Sequence, residues 1–81
     1  MTASYSKRFL KGYAEAPTAV RKAFDKKASL LLQNLKHPSL HAKKYSEATD
    51  LWQARVNRDW RFYFTIEDGV YHLHEIIKHP K

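Results

Sequence analysis

The chain has 81 residues, no cysteine, and a formal charge of +7 from 15 Lys and Arg against 8 Asp and Glu. That length bounds it to one domain, residues 1–81, whose thin core buries about 60–65% of the surface exposed when unfolded. Without cysteine there is no disulfide framework and no thiolate metal cage, which fits a reducing cytoplasm. No apolar run approaches the roughly 18 residues of a membrane span, and the N-terminus lacks the apolar run of a signal peptide. The excess charge favours polyanions: nucleic acid first, an acidic protein second, an anionic membrane surface a distant third.

Residues 6–15 read as a short helix, with Ser6 as its cap and Phe9, Leu10, Tyr13 and Ala14 along one side. Ala16-Pro17 breaks it, and Pro17 suits the first turn of a second helix running to about Asn34 or Lys36. Val20, Phe24, Ala28, Leu31, Leu32 and Leu35 form its buried stripe. Arg21, Lys22, Lys26, Lys27 and Gln33 fall mainly on the solvent side. His37-Pro38 ends the helix, and residues 37–50 form a long connection with a short extended piece near Ala42–Tyr45.

Leu51 to Glu67 alternates apolar and polar residues on either side of Asn57-Arg58-Asp59. Opposed residues share a face of a sheet, so the even-numbered apolar residues of both strands require an odd loop. A three-residue loop places Ala54 opposite Phe62 and Arg55 opposite Arg61. Asp68-Gly69 then makes a two-residue turn pairing Glu67 with Val70. This sends Tyr71 and Leu73 to the apolar face, and His72 and His74 to the face of Arg61 and Tyr63. The last strand ends near Ile77, leaving a basic tail, Lys78 to Lys81. The expected fold is α+β: two antiparallel N-terminal helices on one face of a small antiparallel sheet, the other face polar and positive.

Lys43, Lys44, Arg55 and Arg61, with His41 and the histidines of the last strand and tail, could together cleave RNA through its own 2′-hydroxyl. That chemistry needs a base, cations for the phosphorane and an acid for the leaving oxygen, and no metal or other cofactor. Other readings stay open. By themselves Lys43 and Lys44 read more readily as a solvated loop pair, and the alternative for Arg61 is a structural ion pair, for instance with Glu75. His72 and His74 could hold a metal but have no clear third ligand, and Trp52 and Trp60 suit the core.

The order of elements, with HPSLHAKKY before LWQARVNRDWRFYFTIEDG and a terminal His, resembles the RelE/ParE superfamily of bacterial toxins. Arg55-Val56, Trp60-Arg61 and His79 carry the likeness. The resemblance implies two helices on a curved antiparallel sheet. It also implies the toxin of a type II toxin–antitoxin pair, a ribosome-dependent mRNA endonuclease (an mRNA interferase) acting in the cytoplasm. Arg55, Arg61, Lys44 and His79 would be catalytic, and Lys43, His41, Tyr63 and His74 would bind RNA. Asp59-Trp60 looks like the Asp-Trp of one nuclease branch. The implied partners are mRNA on the ribosome and a cognate antitoxin; no membrane is involved. The alternatives are a ParE-like inhibitor of DNA gyrase and an inactive nucleic-acid-binding relative. Two departures stand out. Family nucleases often carry Tyr or Phe soon after the terminal His or Arg, where this sequence gives Pro80-Lys81, and the usual first strand is nearly absent from Met1 to Tyr5. An uncovered sheet edge of this kind invites a homodimer.

Overall fold

Ser6 starts the first helix by accepting a hydrogen bond from the Phe9 amide at 3.0 Å, and its hydroxyl donates to the His74 carbonyl at 2.9 Å. One side chain thus satisfies an orphan helix amide and ties the helix start to the sheet. In the computed structural model, which describes residues 1–79, this helix is α1 (Lys7–Glu15) and the next is α2 (Thr18–Gln33). Pro17 sits at the N-cap of α2 rather than in its first turn, and its carbonyl accepts from Val20 and Arg21. Arg21 reaches back to donate to the carbonyls of Ala14 and Ala16, closing the end of α1.

A single 3₁₀ turn (Pro38–Leu40) follows α2. The strands are β1 (Thr2–Tyr5), β2 (Lys43–Ser46), β3 (Leu51–Arg55), β4 (Trp60–Glu67) and β5 (Val70–Lys78), in the sheet order β1-β5-β4-β3-β2. The α+β reading holds, with two differences. A first strand exists, and it runs parallel to β5, so the sheet is mixed. Its signal is weak because Thr2 and Ser6 are held through their amides, to the carbonyls of Gly69 and Leu73, and an edge ladder needs no side-chain alternation.

The core lies between α2, α1 and one sheet face. Phe24 packs against Phe9 at 5.1 Å and edge-on against Phe62 at 5.2 Å between ring centroids. Leu31, Leu40, Val56, Phe64, Leu73 and Ile76 are buried with them. Each such side chain contributes about 1.5–3 kcal/mol of burial. Leu10 and Leu32, expected in the helical stripes, are 52% and 38% exposed. The buried stripe of α2 is narrower than expected, carried by Val20, Phe24 and Leu31 with Ala28 half-buried, and Leu35, also half-buried, lies past the helix end.

The hairpin registers are those expected. Ala54 pairs with Phe62, Arg55 with Arg61, and Glu67 with Val70 across Asp68-Gly69. Period-two counting misses two bulges. One lies in β2, between Lys44 (opposite Trp52) and Ser46 (opposite Leu51), leaving Tyr45 unpaired. The other lies in β5, where Leu73 pairs with Phe64 and Glu75 with Tyr63, leaving His74 unpaired. The second shifts the phase of β5 by one residue, which buries Ile76 and turns Glu75 outward to an ion pair with Arg8 at 4.0 Å.

Two predictions arise from the packing. Gly12 brings α1 onto the backbone of β5: a Cβ there would meet the Ile76 carbonyl oxygen at 2.8 Å. Gly12→Ala is therefore expected to destabilise the protein by about 1–3 kcal/mol despite its better helix propensity, read as a lower denaturant midpoint. Two phenols are also held above the ordinary 10.0. Tyr13 is raised first by its hydrogen bond to Asp25, and Tyr71 by burial. A raised phenol favours the protonated, folded form. Its contribution is complete below the unfolded-state pKa and is lost as pH rises through the folded-state value. Tyr71→Phe should flatten the fall of stability at alkaline pH, and Tyr13→Phe should remove a late-ionising phenol from the absorbance titration.

Candidate anion-binding site

The site forms where the β3–β4 loop meets the connection after α2. Asn57 shapes the loop: its side-chain oxygen accepts from the amides of Asp59 and Trp60, each at 2.9 Å, while the Val56 amide donates to the Trp60 carbonyl at 3.0 Å. Arg61 fixes the same loop from beneath. Its Nη1 lies 2.8 Å from the Asn57 carbonyl, 3.0 Å from that of Trp60 and 3.2 Å from that of Arg58. The His79 amide donates to the Asp59 carbonyl at 2.6 Å, bringing the end of β5 to the same place.

Across from the loop stands the 3₁₀ turn. Lys27 of α2 donates to the Ser39 carbonyl at 3.0 Å, and the His37 ring takes a hydrogen bond from the Ser39 amide at 3.2 Å. The next residue after the turn, His41, adopts a left-handed backbone with φ of 47°. Between these walls is an open pocket of about 420 Å³ lined by Lys27, His41, Arg55, Arg58 and Arg61, together with Ser39 and Asn57. Among the described residues four permanent cations line it and no carboxylate does. Such a concavity of one sign concentrates anions, and guanidinium forks match phosphate oxygens.

The expected site residues fall into three groups. Arg55, Arg61 and His41 meet in this pocket. The two arginines are cross-strand partners as expected, but they differ in exposure. Arg55 is exposed, whereas Arg61 is only 8% exposed. The expectation that both stand free on the open face is corrected: Arg61 is absorbed by backbone carbonyls, which supply the acceptors a buried charge requires. Among the described residues it pairs with no acid; Glu75 goes to Arg8 instead. His79 is exposed and anchored beside the loop by its amide.

Lys43 and Lys44 lie on the far edge, outside the pocket lining. Lys43 is exposed. Lys44 is 3.1 Å from Asp50 and 3.9 Å from Glu47, with its ammonium 5.6 Å from the Trp52 ring centre. Tyr63 and His74 line a second groove on the outer sheet face. The Tyr63 hydroxyl accepts from Gln53 at 2.9 Å, and the His74 ring lies 2.8 Å from the Thr65 hydroxyl. Among the described residues no group of three or more His, Asp or Glu could hold a metal ion, so His72 and His74 have no third ligand there.

Lys27, Arg58, Ser39 and Asn57 were not among the expected site residues. Arg58 sat in the predicted loop with no pattern to mark it. Lys27 did carry a signal: it lies three residues after Phe24 and four before Leu31, on the edge of the buried stripe. A lysine at that position covers apolar surface with its stem and delivers its charge at the rim.

No protein-family model matches the chain, and no curated protein matches it. Solved structures do. The YoeB dimer from Staphylococcus aureus superposes with a TM-score of 0.81 at 15% identity, covering 99% of this chain and 98% of that one. The isolated E. coli RelE toxin gives 0.79 at 18% identity, covering 99% and 85%. The archaeal RelE–RelB complex from Pyrococcus horikoshii OT3 gives 0.78 at 18% identity, covering 99% and 94%. Likeness at these identities is a likeness of architecture: this chain has the RelE/ParE-like toxin fold.

Proposed function

We propose that the protein is the toxin of a type II toxin–antitoxin pair that cleaves mRNA on the ribosome, without metal, by attack of the 2′-hydroxyl. The observation that carries this reading is the pocket lined by Lys27, Arg55, Arg58 and Arg61, with His41 on its wall and no carboxylate among the described residues. The 2′-oxygen bonds to phosphorus and gives its proton to a base; the bond to the 5′-oxygen breaks, and an acid supplies that oxygen with a proton. Arg55, exposed at the pocket, holds the scissile phosphate and neutralises the charge that builds on it. Arg61 keeps the loop shaped and adds fixed charge, and Lys27 and Arg58 add more. His41, on the pocket wall, and His79, whose amide is bonded to the loop, are the proton carriers. Lys43 meets the flanking phosphates, and Lys44 braces the strand edge through Asp50.

The partners that go with this reading are ribosome-bound mRNA and an acidic antitoxin. The P. horikoshii RelE was solved with RelB, and the S. aureus YoeB as a dimer, so a homodimer is a second assembly to look for. No helix among the described residues is long and apolar enough to cross a membrane, which is compatible with action in the cytoplasm as a single-domain protein. Induced expression tests the proposal. It predicts mRNA breaks within translated frames, mapped by primer extension. Intact mRNA with broken chromosomal DNA would instead indicate a gyrase poison and overturn it.

A further inference from the structure

Both sheet bulges deliver a ring to one groove. The unpaired residue of β2 is Tyr45 and that of β5 is His74. Both line a concavity of about 340 Å³ on the outer face, with Tyr63 of β4 and with Arg8 and Glu75 at its rim. Tyr45 stands edge-on to Tyr63, with ring centres 5.2 Å apart, and is 60% exposed, a large aromatic surface left to solvent. A bulge unpairs backbone groups to re-aim a side chain, so two bulges converging on one groove point to a use for it. Tyr63 is two residues from Arg61 along β4, about 7 Å away, so the groove adjoins the cationic pocket.

We propose that this groove is a stacking subsite for an unpaired nucleobase of the RNA strand whose phosphate the Arg55 pocket holds. The proposal rests on the RNA reading above. Tyr45 offers the stacking face, supported by Tyr63, which is itself held by Gln53 at 2.9 Å. The Arg8–Glu75 pair at the rim presents one donor and one acceptor to a base edge, and the His74 ring, 2.8 Å from the Thr65 hydroxyl, closes the far side.

The test is fluorescence anisotropy of a labelled single-stranded RNA decamer and of an abasic oligomer of the same length, at fixed salt, with wild type, Tyr45→Ala, Tyr45→Trp and Arg55→Ala. Tyr45→Ala is expected to weaken RNA binding about tenfold and leave the abasic oligomer unaffected, whereas Tyr45→Trp keeps RNA affinity. Arg55→Ala is expected to weaken both. If Tyr45→Ala binds RNA like wild type while Arg55→Ala does not, the subsite falls and the RNA reading stands. If Tyr45→Ala instead dissociates a dimer in sedimentation, with RNA affinity unchanged, the groove is a contact between copies and the subsite likewise falls. Wild type that binds the abasic oligomer as tightly as the RNA decamer would overturn the subsite and leave only the phosphate contact.

Discussion

Arg55→Ala is expected to lower RNA cleavage by about 10²–10³-fold, the usual loss when one donor to a transition-state oxyanion is removed. The expectation follows from position. Arg55 is exposed at the end of β3, it lines the pocket, and no carboxylate of the chain engages it among the described contacts. Its guanidinium is therefore available to a phosphate and contributes little to folding. Thermal unfolding of the variant should match wild type to within about 0.5 kcal/mol, as for other exposed substitutions. Arg55→Lys should restore charge but not the planar two-pronged contact, and should recover only part of the activity. Lost cleavage with an unchanged melting curve would support a phosphate contact; full activity would contradict it.

Arg61→Ala is expected to behave in the opposite way. Nη1 of Arg61 serves the carbonyls of Asn57, Arg58 and Trp60, and the residue is almost wholly buried. Removing it leaves those carbonyls without their charged donor and opens a void under the loop, at a cost of about 2–3 kcal/mol. For a domain of this size the melting temperature should fall by roughly 10–20 °C. Cleavage would also fall, because Arg58 is displayed by that loop and the His79 amide binds its Asp59 carbonyl. The contrast separates two arginines that face each other on one sheet: activity without stability at Arg55, stability and activity together at Arg61. Equal melting temperatures for the two variants would sink the distinction.

The hairpins were legible from the chain alone because parity is a strong constraint. Apolar residues at even positions of both β3 and β4 allow only an odd loop, and Asn57-Arg58-Asp59 supplies it. The pairing of Arg55 with Arg61 followed directly. What parity could not reveal was the fate of the Arg61 side chain, since backbone carbonyls have no residue identity to read. The bulges were hidden for a related reason. A one-residue phase slip shows only in its consequence, Leu73 and Ile76 both buried though three residues apart. Lys27 was misplaced by its charge, although its spacing from Phe24 and Leu31 put it on the rim of the buried stripe. The strand β1 was overlooked because it is held by main-chain groups at a sheet edge.

The chemistry of the cut ends bears most directly on the claim that this pocket lets RNA attack itself. Purified protein added to translating ribosomes should leave upstream fragments ending in a 2′,3′-cyclic phosphate and downstream fragments beginning with a 5′-hydroxyl. Fragments ending in a 3′-hydroxyl and beginning with a 5′-phosphate would mean that water, not the 2′-oxygen, attacked the phosphorus, and would contradict the mechanism built on Arg55 and its neighbours.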